Sequence, residues 1–215
     1  MASPVKPEDF FPATSMPDRD WWVALWPDPD GVVRSLGVEP GMVVVDLCCG
    51  DGYFTAPLAR IVEGKLYGVD IDPAMLEQTR AELERAGTTV LDLICADARD
   101  LPKLLAAKVD YVLIANTFHG VPDQTGFAHA VANVLRPGGC FAIINWHAPP
   151  REQTTVLGKS RGPRTEMRMS PEQVRAAVEP AGFQLAELVE LPPYHYGAVF
   201  RKSAARALKD AGESN

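Results

Sequence analysis

The chain has 215 residues and a mass of 23.4 kDa, a length that suits one hydrophobic core, because chains divide into separate cores only beyond roughly 250 residues. With 47% hydrophobic and 23% charged residues the composition is globular, and no apolar run approaches the ~18 residues of a membrane span, which excludes a membrane-embedded enzyme. Lys+Arg 21 against Asp+Glu 28 leaves a net charge of -7, so the general attraction toward nucleic-acid phosphates is missing and nucleic acid is not an expected partner.

Residues 1–36 read as an N-terminal arm and aromatic cap. Pro4, Pro7, Pro12 and Pro17 break any period, and the apolar core of a secretory signal is absent, which makes the cytoplasm the expected compartment. The cluster Trp21, Trp22, Val23, Ala24, Leu25 and Trp26 should form a short helix or turn lying on the core or over a pocket. Residues 37–201 are expected to form the main domain. Within it, the valine-rich run 43–47 reads as a buried parallel strand, followed by a helix over 53–62 and a second strand over 65–69. Asp72-Pro73 opens a helix with Leu76, Thr79, Leu83 and Ala86 on one face and Gly87 after it. Strands are expected over 90–95, 111–115 and 140–146, with a helix from Asp123 to the Pro137-Gly138-Gly139 stop between the last two.

Residues 148–169 are polar and without period, and read as a loop over the substrate side. Ser170-Pro171-Glu172-Gln173 has the form of a capping box opening the last helix. Strands over 183–191 and 194–200 should make an antiparallel hairpin, and 202–215 a frayed tail. The alternation predicts an α/β fold: a Rossmann-like, doubly wound, mostly parallel seven-stranded sheet with helices on both faces. The four cysteines, Cys48, Cys49, Cys95 and Cys140, read as buried free thiols, and the adjacent pair lacks a zinc spacing.

Ligands of such sheets bind beyond the carboxyl ends of the strands. After the first strand stands Asp46-Leu-Cys-Cys-Gly50-Asp-Gly52-Tyr53, where two glycines permit a tight turn and close backbone approach. After the second stands Asp70-Ile71-Asp72, with Asp70 placed to accept ribose hydroxyls and Asp72 read as a helix cap. After the third come Asp97 and Ala98, where a carboxylate or backbone amide could meet an adenine edge, although Asp97 serves equally as a cap. Asp46 would repel the pyrophosphate of a dinucleotide but suits an ammonium group, and the third glycine of the dinucleotide fingerprint is replaced by Thr55. Adenosine at one end and a cationic amino acid at the other describe S-adenosyl-L-methionine.

At these residues the chain resembles the class I S-adenosylmethionine-dependent methyltransferases, and within them the small-molecule enzymes of quinone-biosynthesis and arsenite-methyltransferase type. Asp46-Leu-Cys-Cys-Gly-Asp-Gly is similar to their first motif and Gly68-Val-Asp-Ile-Asp-Pro to the second. Ala96-Asp97-Ala98 is similar to the third, and Leu135-Arg-Pro-Gly-Gly to the turn before the fifth strand. The resemblance implies that Asp46 and Gly50 hold the methionine moiety and that Gly52 permits the approach. It also implies that Asp70 takes the ribose, Asp97 and Ala98 the adenine, and that Asn116 lies beside the sulfonium. Tyr53 and Ile71 complete the expected cofactor set. Cys48 stands where the family has its first glycine; if positive φ is needed there, a side chain costs roughly 1 kcal/mol or more.

Methyl transfer is an in-line displacement at the sulfonium carbon, so the protein must align the partners and exclude water. Trp22, Trp26, Phe118, Trp146 and His195 are the candidate acceptor walls. His119 and His147, past the fourth and fifth strands, are the candidate bases. No metal site is expected, and a monomer or homodimer is. Two other readings stay open: a module that binds S-adenosylmethionine without turnover, and a nicotinamide-dependent oxidoreductase.

Overall fold

The computed structural model describes residues 10–12, 14 and 16–203. Five parallel strands, β1 (Val44–Leu47), β2 (Leu66–Asp70), β3 (Asp92–Cys95), β4 (Val109–Ala115) and β5 (Leu135–Trp146), form most of the main sheet. A two-stranded ribbon, β6 (Thr155–Val156) with β7 (Lys159–Ser160), stands apart, and β8 (Phe183–Leu191) with β9 (His195–Lys202) closes the sheet in antiparallel fashion. The order is β3-β2-β1-β4-β5-β9-β8, the doubly wound arrangement expected from the alternation of elements. Each strand of the sheet centre is apolar on both faces because helices cover both. Val44 joins one core with Leu113 and Ile144, while Val45 and Leu47 join the other with Val112, Ile114 and Ile143.

The first core is completed by α1 (Arg19–Leu25), α2 (Pro29–Ser35), α3 (Thr55–Ile61) and α4 (Pro73–Arg85). The second takes α5 (Leu101–Leu104), α6 (Gln124–Val134) and α7 (Pro171–Val178). Helix α2 was not anticipated, although its signals are local: Asp28 accepts from the Gly31 amide at 2.9 Å and Pro29 opens the first turn. The expected caps are in place elsewhere. Asp72 accepts from Ala74 N at 2.8 Å, Asp123 from Gly126 N at 2.8 Å, and Ser170 and Gln173 form a reciprocal capping box.

Two expectations are corrected. Pro137-Gly138-Gly139 does not simply stop α6: the chain enters β5 at Leu135, which pairs with Val109, and the ladder resumes at Cys140 opposite Tyr111. The turn residues are accommodated as an irregularity inside a long strand. Of the four thiols only Cys49 is buried; Cys48 and Cys140 are half-buried, and Cys95 is exposed because β3 is an edge of the sheet. Among the described residues no helix is long and apolar enough to cross a membrane.

The aromatic cluster packs as a stack. Trp21 lies parallel to Trp22 at 5.1 Å, and Trp22 to Trp26 at 5.5 Å. Trp26, 3% exposed, also meets Phe54 at 5.3 Å and His195 at 4.5 Å. Replacing a side chain so enclosed leaves a cavity, so Trp26→Ala is expected to cost about 3–5 kcal/mol in urea denaturation; a cost below about 1 kcal/mol would show that the stack lies outside the cooperative core.

Candidate active site

Strand order reverses between β1 and β4, so the loops leaving their carboxyl ends diverge and open a cleft. The cavity there measures about 1160 Å³. That exceeds the ~300–1,000 Å³ of an ordinary single-ligand pocket, which leaves room for two molecules side by side. Its floor is the loop after β1. Here Cys49 N donates to Val69 O at 3.0 Å, while Cys48, Gly50 and Gly52 adopt φ of 60°, 57° and 85°. A Cβ on Gly52 would sit 3.0 Å from the Thr79 Cα, so glycine lets α4 close on the loop. Cys48 carries a side chain in the left-handed region, which costs roughly 1 kcal/mol or more.

Three carboxylates surround this loop. Asp46, 2% exposed, accepts from the Thr55 hydroxyl at 2.7 Å. Burial pushes its pKa up to about 7, with the neighbouring Asp70 and Asp51 charges adding to the rise. Asp70 accepts from Gly50 N and Asp72 N, each at 2.9 Å, yet burial outweighs these bonds and raises its pKa. Asp51 is tied instead to Arg19 of α1 at 3.0 Å, and Arg19 also pairs with Glu82 of α4 at 2.8 Å. The arm is thereby anchored to the loop. Asp97 caps the turn that follows β3 by accepting from Arg99 N at 2.8 Å; burial alone would raise its pKa, but the Arg99 bonds prevail and lower it.

The opposite wall begins at Asn116, held at φ 56° and bonded through its amide to Ile144 O at 2.9 Å. Its side-chain Oδ1 is buried on the cavity with no hydrogen-bond partner among the described residues. His119 also lines the cavity, with Nδ1 3.3 Å from Asn145 Oδ1. Of the residues expected to meet the cofactor, all but Gly52 line the cavity. Tyr53 lines it with its ring, while its hydroxyl donates to Trp26 O; burial pushes its pKa up to about 12.

The acceptor set divides. Trp22 and Trp146 line the cavity, together with Trp21. Phe118 does not: it is fully buried between Phe127 and Phe141, because the turn after β4 directs it into the second core. Trp26 belongs to the stack described above. His195 is fully buried between Trp26 and Trp146, at 4.5 and 4.0 Å, with burial holding its pKa well below the ordinary value. His147 lies outside the cavity, where its Nε2 meets Glu190 at 2.9 Å and its ring packs on Tyr196. Residues not anticipated as a site are Phe11 and Met16 of the arm, and Arg151, Arg161, Gly162 and Pro163. Their only sequence signal is an arginine-bearing Gly-Pro loop.

A methyltransferase-domain model matches residues 44–139. Demethylmenaquinone methyltransferase of Bacillus mycoides is 33% identical over 132 residues, 60% of this chain and 53% of that protein. The Geobacillus stearothermophilus enzyme of the same name is 32% identical over 120 residues, 55% of this chain and 51% of its own length. The chain therefore spans about half the length of these curated relatives. In structure it is similar to a SAM-dependent methyltransferase from Aquifex aeolicus, with a TM-score of 0.69 at 23% identity, covering 83% of this chain and 91% of that one. It is also similar to magnesium protoporphyrin IX methyltransferase from Synechocystis PCC 6803 with bound SAM, with a TM-score of 0.63 at 19% identity over 88% and 86% of the two chains.

Asp46 makes a prediction independent of any ligand. Because its folded pKa, about 7, lies above the ordinary 3.8, its contribution to stability is present below about pH 4 and is lost as pH rises to about 7. Asp46→Asn keeps an acceptor for Thr55 and removes that loss. The variant should melt near the wild-type temperature at about pH 4 and above it at about pH 8; a lower melting temperature at about pH 8 would contradict the assignment.

Proposed function

We propose that this chain is a class I S-adenosylmethionine-dependent methyltransferase and that it transfers the methyl group of S-adenosyl-L-methionine to a small-molecule acceptor held in the same cavity. The observation that carries this reading is the pair of buried carboxylates, Asp46 and Asp70, flanking a glycine loop at the switch point of the sheet. Their raised pKa values mark a site short of positive charge, which suits an ammonium or sulfonium group. Each Asp70 oxygen accepts one backbone amide and retains a lone pair for a ribose hydroxyl. The unpartnered Oδ1 of Asn116 is a further acceptor awaiting a donor or cation. S-adenosyl-L-methionine, when bound, supplies an activated methyl group.

The chain's own residues then have three tasks. Asp46, Asp70 and Asn116 orient the donor, with Asp97 and Ala98 at the adenine end. Trp21, Trp22 and Trp146 exclude water and offer aromatic faces to positive charge. His119 is the candidate acceptor for a proton lost by the attacking group, since it lines the cavity and Asn145 orients its ring. A small-molecule acceptor is supported by relatives named for methylation of a quinone precursor; the module without turnover and the nicotinamide enzyme are not favoured by this kinship. The free thiols are in keeping with a reducing compartment such as the cytoplasm.

Calorimetric titration should give saturable one-to-one binding of S-adenosylmethionine and S-adenosylhomocysteine and none of NAD; the reverse pattern would overturn the proposal. Asp70→Ala should weaken binding by about 1–3 kcal/mol through lost charged hydrogen bonds, and an unchanged affinity would remove the ribose assignment. Because the ligand's cation favours ionised Asp46, affinity for S-adenosylmethionine should rise with pH up to about 7 and then level, and Asp46→Asn should flatten this profile. His119→Ala should lower kcat while leaving the S-adenosylmethionine Kd within about twofold; equal losses in both would mark a structural histidine.

A further inference from the structure

The two halves of the cavity carry opposite charge. The donor half is bordered by Asp46, Asp70 and Asp97, of which Asp97 is paired with Arg99, whereas the other half is bordered by Arg161 and Arg151. Arg161 has no carboxylate partner among the described residues. Its guanidinium lies 5.4 Å from the Trp21 ring centroid, and its Nε is buried without a hydrogen bond. Arg151 likewise has no ion pair there; its Nε donates to Gly162 O at 3.0 Å.

A third arginine builds this corner without facing it. Arg168, 6% exposed, donates to Pro149 O at 2.9 Å, Arg161 O at 3.0 Å, Pro163 O at 3.3 Å and the Thr154 hydroxyl at 2.8 Å. Its guanidinium lies 4.9 Å from the Trp146 ring centroid. Segment 149–163 is thus wrapped around a buried cation, and no carboxylate among the described residues pairs with it. Such an arrangement concentrates positive potential on a water-excluding aromatic wall, in a protein whose net charge is -7.

We propose, resting on the methyltransferase reading above, that the acceptor is a small aromatic molecule bearing a carboxylate. The carboxylate pairs with Arg161, supported by Arg151, and the ring lies among Trp21, Trp22 and Trp146. A planar guanidinium fork matches a carboxylate in geometry, and a half-buried guanidinium whose Nε lacks a hydrogen bond gains most from an anion that brings its own acceptors. A monoanion on an apolar ring also suits the aromatic lining better than a heavily hydrated dianion.

The test uses the full chain, with tryptophan emission as the readout and benzoate, benzamide and phenyl phosphate as probes. Each probe is titrated with and without saturating S-adenosylhomocysteine. Benzoate is expected to bind at least about tenfold more tightly than benzamide, and Arg161→Met to abolish the preference while S-adenosylhomocysteine affinity stays within about twofold. Arg161→Lys, which keeps the charge but not the fork, should retain part of it. Equal binding of benzoate and benzamide, no benzoate binding, tighter binding of phenyl phosphate than of benzoate, or a preference that survives in Arg161→Met would each overturn the proposal. Loss of S-adenosylhomocysteine binding in the wild type would instead count against the methyltransferase reading, and the titrations without it would still decide the acceptor's charge.

Discussion

The site depends on keeping carboxylates together where water is scarce. Asp46, next to last in β1, and Asp70, last in β2, stand near the ends of adjacent parallel strands, so the sheet itself brings their charges close, and the Asp51 carboxylate follows in the loop after β1. Burial makes the ionised forms of Asp46 and Asp70 expensive, and neighbouring carboxylates add to the cost. The fold tolerates the arrangement by distributing donors: the Thr55 hydroxyl to Asp46, two backbone amides to Asp70, and the Arg19 guanidinium to Asp51. Among the described residues only Asp51 of the three receives a full counter-charge, and Asp46 and Asp70 are held by neutral donors.

That constraint organises the neighbouring parts. Gly50 and Gly52 adopt positive φ so that the loop can turn beneath the carboxylates and α4 can approach, while Cys48 takes the same conformation at a cost in strain. Arg19 carries the order of the loop into the arm by bridging Asp51 and Glu82. The arm then crosses the cavity: a Cβ placed on Gly50 would lie 2.9 Å from Met16 Sδ, and one on Gly120 would lie 2.4 Å from Pro12 O. Across the cavity, Arg168 plays the corresponding part for the arginine-bearing corner, satisfying carbonyls of the loop that carries the β6–β7 ribbon. One half is therefore assembled around buried anions and the other around a buried cation, and the tryptophans of the stack border both.

Much of the fold was readable because its signals are local or periodic. Buried parallel strands appear as short valine- and isoleucine-rich runs, and α4, α6 and α7 announce themselves by Asp72, Asp123 and Ser170. The strand-end residues on the cavity were readable for the same reason: in a parallel sheet, residues at the ends of successive strands must converge, so Asp46, Asp70, Asp97 and Asn116 could be grouped without coordinates. Histidines and aromatics were harder. His119 and His147 occupy similar places after β4 and β5, yet one faces the cavity and the other packs on Tyr196. Phe118 and Trp146 differ in the same way, since the side on which a residue emerges depends on a turn whose geometry no spacing rule specifies.

The sequence by itself determined the fold class, the order of the main-sheet strands and the grouping of the strand-end residues, because hydrophobic period, caps and strand-end residues act over a few positions. Tertiary structure alone decided which aromatics wall the cavity, that Asp46 is buried deeply enough to titrate near neutrality, and that Arg161 lies beside Trp21 with no carboxylate partner among the described residues. Burial, electrostatic coupling and the path of the 148–169 loop arise from segments far apart in the chain. Their energies exist only once those segments share a common interior.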